Sequence, residues 1–159
     1  MTDQAVEGRV GESARNLAFI NYALLFAAIF FAGVPALIAA IIAYSQRDEA
    51  PPKIGSHYNF QIRIFWVAFV IALAAGVCFL GAVISIAGEL FQVTRLEGWN
   101  MPDQVRVNLS DVTVDRTLIA LIAGMGLFSA IGGLWLIFAP ALGFIRLASA
   151  RGMGHSARS

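Results

Sequence analysis

Three long apolar stretches, Leu17–Tyr44, Ile64–Gly88 and Thr117–Ile145, constrain this chain more than any other feature. The second and third contain no Asp, Glu, Lys, Arg or His, and the first is interrupted only by Asn21 and Tyr22 near its start. Each is at least 25 residues long, whereas about 20 residues cross the ~30 Å hydrocarbon core of a bilayer. With 58% hydrophobic and only 13% charged residues, the chain is too apolar for one soluble core to bury three such helices in succession. The sequence therefore predicts an all-α membrane protein with three transmembrane helices, at about 17–45, 57–91 and 117–147. One longer extramembrane loop, 92–116, joins the last two. The whole chain, 1–159, reads as a single integral membrane domain with flexible tails at 1–15 and 149–159.

Composition narrows the function classes. A formal net charge of +1 implies no polyanion, so no nucleic-acid partner is expected. The single Cys78 lies deep in the second run, where it serves as a small apolar residue and cannot build a disulfide framework. The first run exceeds the length of a signal-peptide core, and the preceding segment carries Asp3, Glu7 and Glu12 against Arg9 and Arg15. That run is therefore expected to remain as a span.

Asn16 is placed to cap the first helix, and Gly33 with Pro35 predicts a kink near its middle. Pro51 and Pro52 end the first connection, and Ser56 is placed to cap a second helix starting near His57. In the longer loop, Val105, Val107 and Leu109 alternate with polar residues, as do Val112 and Val114, a pattern for two short strands. Asn108-Leu109-Ser110 is formally a glycosylation sequon. With three spans, Arg47, Lys53, Arg63, Arg146, Arg151 and Arg158 fall on one side of the membrane. Arg9, Arg15, Arg95, Arg106 and Arg116 fall on the other. This near-balance favours loop one and the C-terminus in the cytoplasm and the N-terminus outside.

The most distinctive short segment runs from Ser56 to Trp66, where polar and apolar residues alternate from His57 to Ile64. Because it passes without a turn signal into an apolar span, a helix is expected. On a helix His57 and Gln61 share one face, and Asn59 and Arg63 share a nearly opposite one. These four residues are the candidate site. At most one pair can meet lipid headgroups, with Arg63 reaching phosphate and pairing with Asp48 or Glu49. The other is expected to face protein or a polar vestibule for an ion or substrate. Tyr58 and Trp66 suit interfacial anchoring. A metal role for His57 needs further ligands, and the only other histidine is His155 in the C-terminal tail. No cofactor is implied.

Tyr22, Ile42-Ala43-Tyr44, Arg47-Asp48-Glu49-Ala50 and Ser56-His57-Tyr58-x-Phe60-Gln61-Ile62-Arg63-x-Phe65-Trp66 together resemble a family of small bacterial inner-membrane proteins of unknown function. Some members are labelled import-component-like, by distant similarity to a chloroplast inner-envelope import subunit. The resemblance covers about residues 20–70. It implies a multi-pass helical fold in a bacterial inner (plasma) membrane, and it supplies no catalytic residue.

Small residues recur four apart on the later runs: Gly81 and Ser85, leading to Gly88, on the second, and Ala120 with Gly124, Gly126 with Ala130, and Ser129 with Gly133 on the third. Such spacing lets membrane helices approach closely, either within the chain or against a second copy or another membrane protein. No paired carboxylates, nucleophile elbow, phosphate loop or metal-ligand spacing occurs, so an enzyme is not expected. Glu89, at the end of the second helix, is the best lone titratable group in or near the membrane, suited to an interfacial carboxylate paired with Arg95, with proton transfer as the alternative. The expected role is structural, accessory or assembly-related. The alternative is a subunit of a small-solute or ion pore, or of a protein-translocation apparatus.

Overall fold

A computed structural model describes residues 2–98, 115–149, 151 and 153; of residues 2–8, 10 and 92–98 it describes the backbone only. The two strands expected within 105–114 and the sequon at Asn108 lie outside the described residues. All the described secondary structure is helical: α1 (Thr2–Ala27), α2 (Val34–Gln46), α3 (Pro52–Gly98) and α4 (Arg116–Ala148). The chain forms two compact units, one of Met1–Val70 with Gly132–Ser159 and one of Ile71–Ile131. Among the described residues, two helices are long and apolar enough to cross a membrane, Pro52–Phe91 and Arg116–Ala148.

The first apolar run departs most from expectation. It is not one kinked helix over 17–45 but two helices separated by a turn at 28–33. Ala32 and Gly33 both adopt positive φ, 50° and 81°. That geometry reverses the chain, which a proline kink alone does not. The left-handed backbone is free for Gly33 but costs Ala32 about 1–2 kcal/mol. Pro35 sits in the first turn of α2, where its missing N–H is harmless.

α1 and α2 pack antiparallel. Asn21, six residues before the end of α1, donates to the carbonyl of Ala39, 2.9 Å away in α2. One small cavity is lined by Ser13, Ala14 and Leu17 from α1 together with Gln46, Glu49 and Ala50. The segment around Ser13–Leu17 thus lies beside loop one. At 13 residues, α2 is only about 20 Å long, short of a ~30 Å core.

The other boundaries also move. Residues 2–15, expected as a flexible tail, are helical, and Asn16 lies inside α1 instead of capping it. Gln4, Ala5, Glu7, Glu12, Ala14 and Arg15 are all good helix formers. Ala14 and Ala18 continue the buried face toward Tyr22 and Leu25. α3 begins at Pro52, not His57, because the Pro51 carbonyl accepts from the amides of Ile54 and Gly55 at 2.8 and 2.9 Å. The Ser56 hydroxyl therefore donates back to Lys53 O at 2.6 Å and caps nothing. α3 extends to Gly98, so the loop is shorter than 92–116. Asp115 caps α4, its carboxylate accepting from the Leu118 amide at 2.7 Å.

The distribution of side chains is inverted relative to a soluble protein. α2 buries Ala36, Ala39, Ala40 and Ala43, while Leu37, Ile38 and Ile41 are exposed. The turn carries Phe30 and Phe31 at 73% and 65% exposure. Water would drive the large apolar groups inside. In lipid, helices instead associate through small faces that allow close approach. The long helices α3 and α4 likewise bury almost nothing of their most apolar stretches within the protein.

In the second unit, a side chain at Gly81 would meet Leu121 at 3.1 Å, and one at Gly124 would meet Cys78 Sγ at 3.1 Å. These two glycines mark α3–α4 contact there. A methyl at Gly88 or Gly126 would meet nothing within 4 Å, and neither would one at Gly133 in the first unit. Ser85 is half-buried and Ser129 exposed.

Candidate functional site

The start of α3 presents two faces, as the helical period requires. His57 and Gln61 point inward and are 1% exposed each, whereas Asn59 and Arg63 are exposed. The four candidates therefore do not form one site.

The inward pair is bound to groups far away in sequence. Gln61 Nε2 donates to Ala18 O at 3.1 Å, and its Oε1 accepts from Asn21 Nδ2 at 2.7 Å. Asn21 Nδ2 uses its other hydrogen on Ala39 O. Carbonyls can only accept, so Ala18 and Ala39 fix the orientation of both amides. Asn21 Oδ1 is buried without a hydrogen-bond partner among the described residues.

His57 spans a different gap. Its Nε2 lies 2.8 Å from Arg151 O beyond the end of α4, and its Nδ1 lies 3.0 Å from the Tyr22 hydroxyl. The carbonyl requires a hydrogen on Nε2, so in the neutral ring Nδ1 accepts from Tyr22. Tyr58, expected as an interfacial anchor, is instead fully buried, its hydroxyl donating to Ala14 O at 3.1 Å. Trp135 Nε1 donates to Ile64 O at 3.2 Å, and the Met153 amide to Ser56 Oγ at 3.0 Å. Trp66 does stay exposed, donating to Tyr44 Oη at 2.9 Å.

Together these bonds clasp α1, α2, the start of α3 and the exit of α4. Each polar side chain is matched to a backbone carbonyl or to another neutral group, as a water-poor environment demands. Chemically the cluster can hold helices together. Gln61 is enclosed by these contacts, whereas His57, although bonded on both ring nitrogens, also lines an open cavity of about 510 Å³ with Arg15, Lys53 and Arg151.

The outward pair borders a cavity of about 310 Å³ that also meets Arg146. The expected pairing of Arg63 with Asp48 or Glu49 is not made by Asp48, whose carboxylate lies 3.3 Å from Arg47. Glu89 is half-buried in the distal part of α3. Among the described residues no group of three or more His, Cys, Asp or Glu is gathered to hold a metal; His155 lies outside them. Sequence reasoning marks Asn21 and Tyr22 only as polar interruptions of an apolar run. Their partners are 40 and 35 residues away, and no local signal links them. No protein-family model, curated protein or solved structure matches this chain.

Proposed function

We propose that this protein is a multi-pass membrane protein with a structural, accessory or assembly role. In this reading it has two membrane-crossing helices, α3 and α4. The α1–α2 hairpin enters the bilayer and leaves on the same side. The observation that carries the reading is the outward display of large apolar side chains, with Phe30, Phe31, Leu37, Ile41 and much of the apolar surface of α3 and α4 exposed. The interior is mostly alanines and neutral polar groups, with a few larger residues such as Leu25 and Ile64. The hairpin turn fits the same solvent. Its amides at Ala28, Ile29, Phe30 and Gly33, and that of Val34 beside it, are bonded to the carbonyls of Leu24, Phe26, Ala27, Ala28 and Phe31, which lowers the cost of immersion in hydrocarbon.

A hairpin also changes the charge balance. The N-terminal segment, loop one and the C-terminal end now share one side, with Arg9, Arg15, Arg47, Lys53, Arg63, Arg146, Arg151 and Arg158. The other side keeps only Arg95, Arg106 and Arg116. That asymmetry favours the first side as cytoplasmic. Residence in a bacterial inner membrane rests on the resemblance over residues 20–70.

Single cysteines in a Cys78→Ala background test the arrangement. Ser13→Cys and Ser45→Cys are expected to react with a membrane-impermeant maleimide from the same side, and Ser110→Cys from the other. Reaction of Ser13→Cys together with Ser110→Cys would restore a spanning first helix. The role itself is tested in proteoliposomes and native membranes. The expected result is ion and small-solute leakage no greater than in empty vesicles, with crosslinking capturing a stoichiometric membrane-protein partner or a second copy. A flux abolished by Arg63→Ala in protein that still inserts would replace the structural reading with that of a pore subunit.

A further inference from the structure

A cavity of about 510 Å³ opens where α1, the start of α3 and the exit of α4 meet. Arg15, Lys53 and Arg151, one from each of these elements, line it against a single carboxylate, Glu12. All three cations are exposed, so they are accessible to a ligand. None forms an ion pair with a carboxylate among the described residues. Arg15 instead lies over the Phe19 ring, 5.6 Å from its centroid. The first turn of α3 contributes to the wall, and the positive end of its dipole adds to the field.

Two helical turns further along the same α1–α4 contact, the surface changes character. A groove of about 300 Å³ is lined there by Tyr22, Phe26, Pro140, Ala141, Phe144 and Ile145. On α1 the step from Arg15 to Tyr22, and on α4 the step from Leu147 to Pro140, each correspond to about 10 Å along the axis. Both features lie in the first unit. In the membrane reading above, the cationic mouth falls at the bilayer edge and the apolar groove on the membrane side of it.

We propose that this pair of cavities binds one anionic phospholipid, with its phosphate-bearing headgroup among Arg15, Lys53 and Arg151 and an acyl chain along the groove beside Phe144. Basic pockets between membrane helices select such headgroups by charge, and the adjoining groove matches the amphipathic remainder of the molecule. A free phosphate has the same headgroup chemistry but no use for the groove. The inference rests on the membrane reading above. Were that reading wrong, the chain would stay in solution without detergent, a result distinct from any change in lipid selectivity.

The test is native mass spectrometry of the full chain in detergent, titrated with dioleoylphosphatidylglycerol, dioleoylphosphatidylcholine or inorganic phosphate. Phosphatidylglycerol is expected to be retained at one molecule per chain and phosphatidylcholine not. Arg15→Gln, Lys53→Gln and Arg151→Gln should each weaken retention about fivefold. Arg151→Gln keeps the backbone carbonyl that His57 uses, so a loss there reports the charge and not the clasp. Ala141→Trp, at an exposed position, should also lower retention by filling the groove. Equal retention of both lipids, indifference to the arginine substitutions, or displacement of phosphatidylglycerol by millimolar inorganic phosphate would each overturn the proposal.

Discussion

Gly143→Ala is expected to destabilise the protein by about 3 kcal/mol, the upper part of the usual range for overpacking a core. Gly143 is buried on α4, and the space a methyl would need there is already occupied by the Tyr22 ring. The ring cannot swing aside cheaply, because its hydroxyl is bonded to His57 Nδ1 and the residue is 1% exposed. Either α4 shifts or the Tyr22–His57 bond breaks, and both loosen α1 from the spans. Unfolding in detergent, followed by circular dichroism, reads the loss directly. In a double-mutant cycle, Tyr22→Ala should relieve much of the damage, giving a coupling of about 1 kcal/mol or more of compensating sign. A Gly143→Ala protein as stable as the parent would mean that α1 and α4 do not meet as described.

The second large effect concerns the amide pair. Gln61→Leu keeps the volume of the side chain but removes one acceptor and one donor. It leaves an Asn21 N–H buried without the oxygen it reached at 2.7 Å. An orphaned buried group of this kind costs about 1–3 kcal/mol. A hydrogen bond between membrane helices averages only about 0.6 kcal/mol, so the loss should come mainly from the stranded donor, not from the missing bond. It follows that Asn21→Leu combined with Gln61→Leu is no worse than Gln61→Leu alone, because the pair removes both partners together. Stability curves of the three variants decide this. If the double variant loses the sum of the two single losses, the two amides do not act as a unit.

The long apolar helices α3 and α4 are legible in the sequence because hydropathy depends only on local composition, and neither of the runs Ile64–Gly88 and Thr117–Ile145 contains a charge. The same measure fails on Leu17–Tyr44. A run long enough to cross looks identical to one that folds back, and the reversal depends on two backbone angles at Ala32 and Gly33. Alanine does not advertise a positive φ. Residues 2–15 mislead for a related reason: their polarity signals solvent, but their helix propensity continues into a buried face. Within the site, the division of His57 and Gln61 from Asn59 and Arg63 is readable from the 3.6-residue period. What each face meets is not, since Asn21, Tyr22 and the Arg151 carbonyl reach the start of α3 only through tertiary folding.

The clasp also implies a sequence of assembly. Its contributing groups lie at residues 14–22, 39, 57–61 and 151, far apart along the chain. Synthesis runs from α1 to α4, so when α2 is complete the Asn21 amide has Ala39 to bond but not Gln61, and the Tyr22 hydroxyl has no imidazole. The hairpin therefore cannot reach its final state by itself. It must wait until the start of α3 has been made, and the His57 ring must wait longer, until the chain has supplied the carbonyl at Arg151. In this fold α1 is made before α4 but is locked in place only after it.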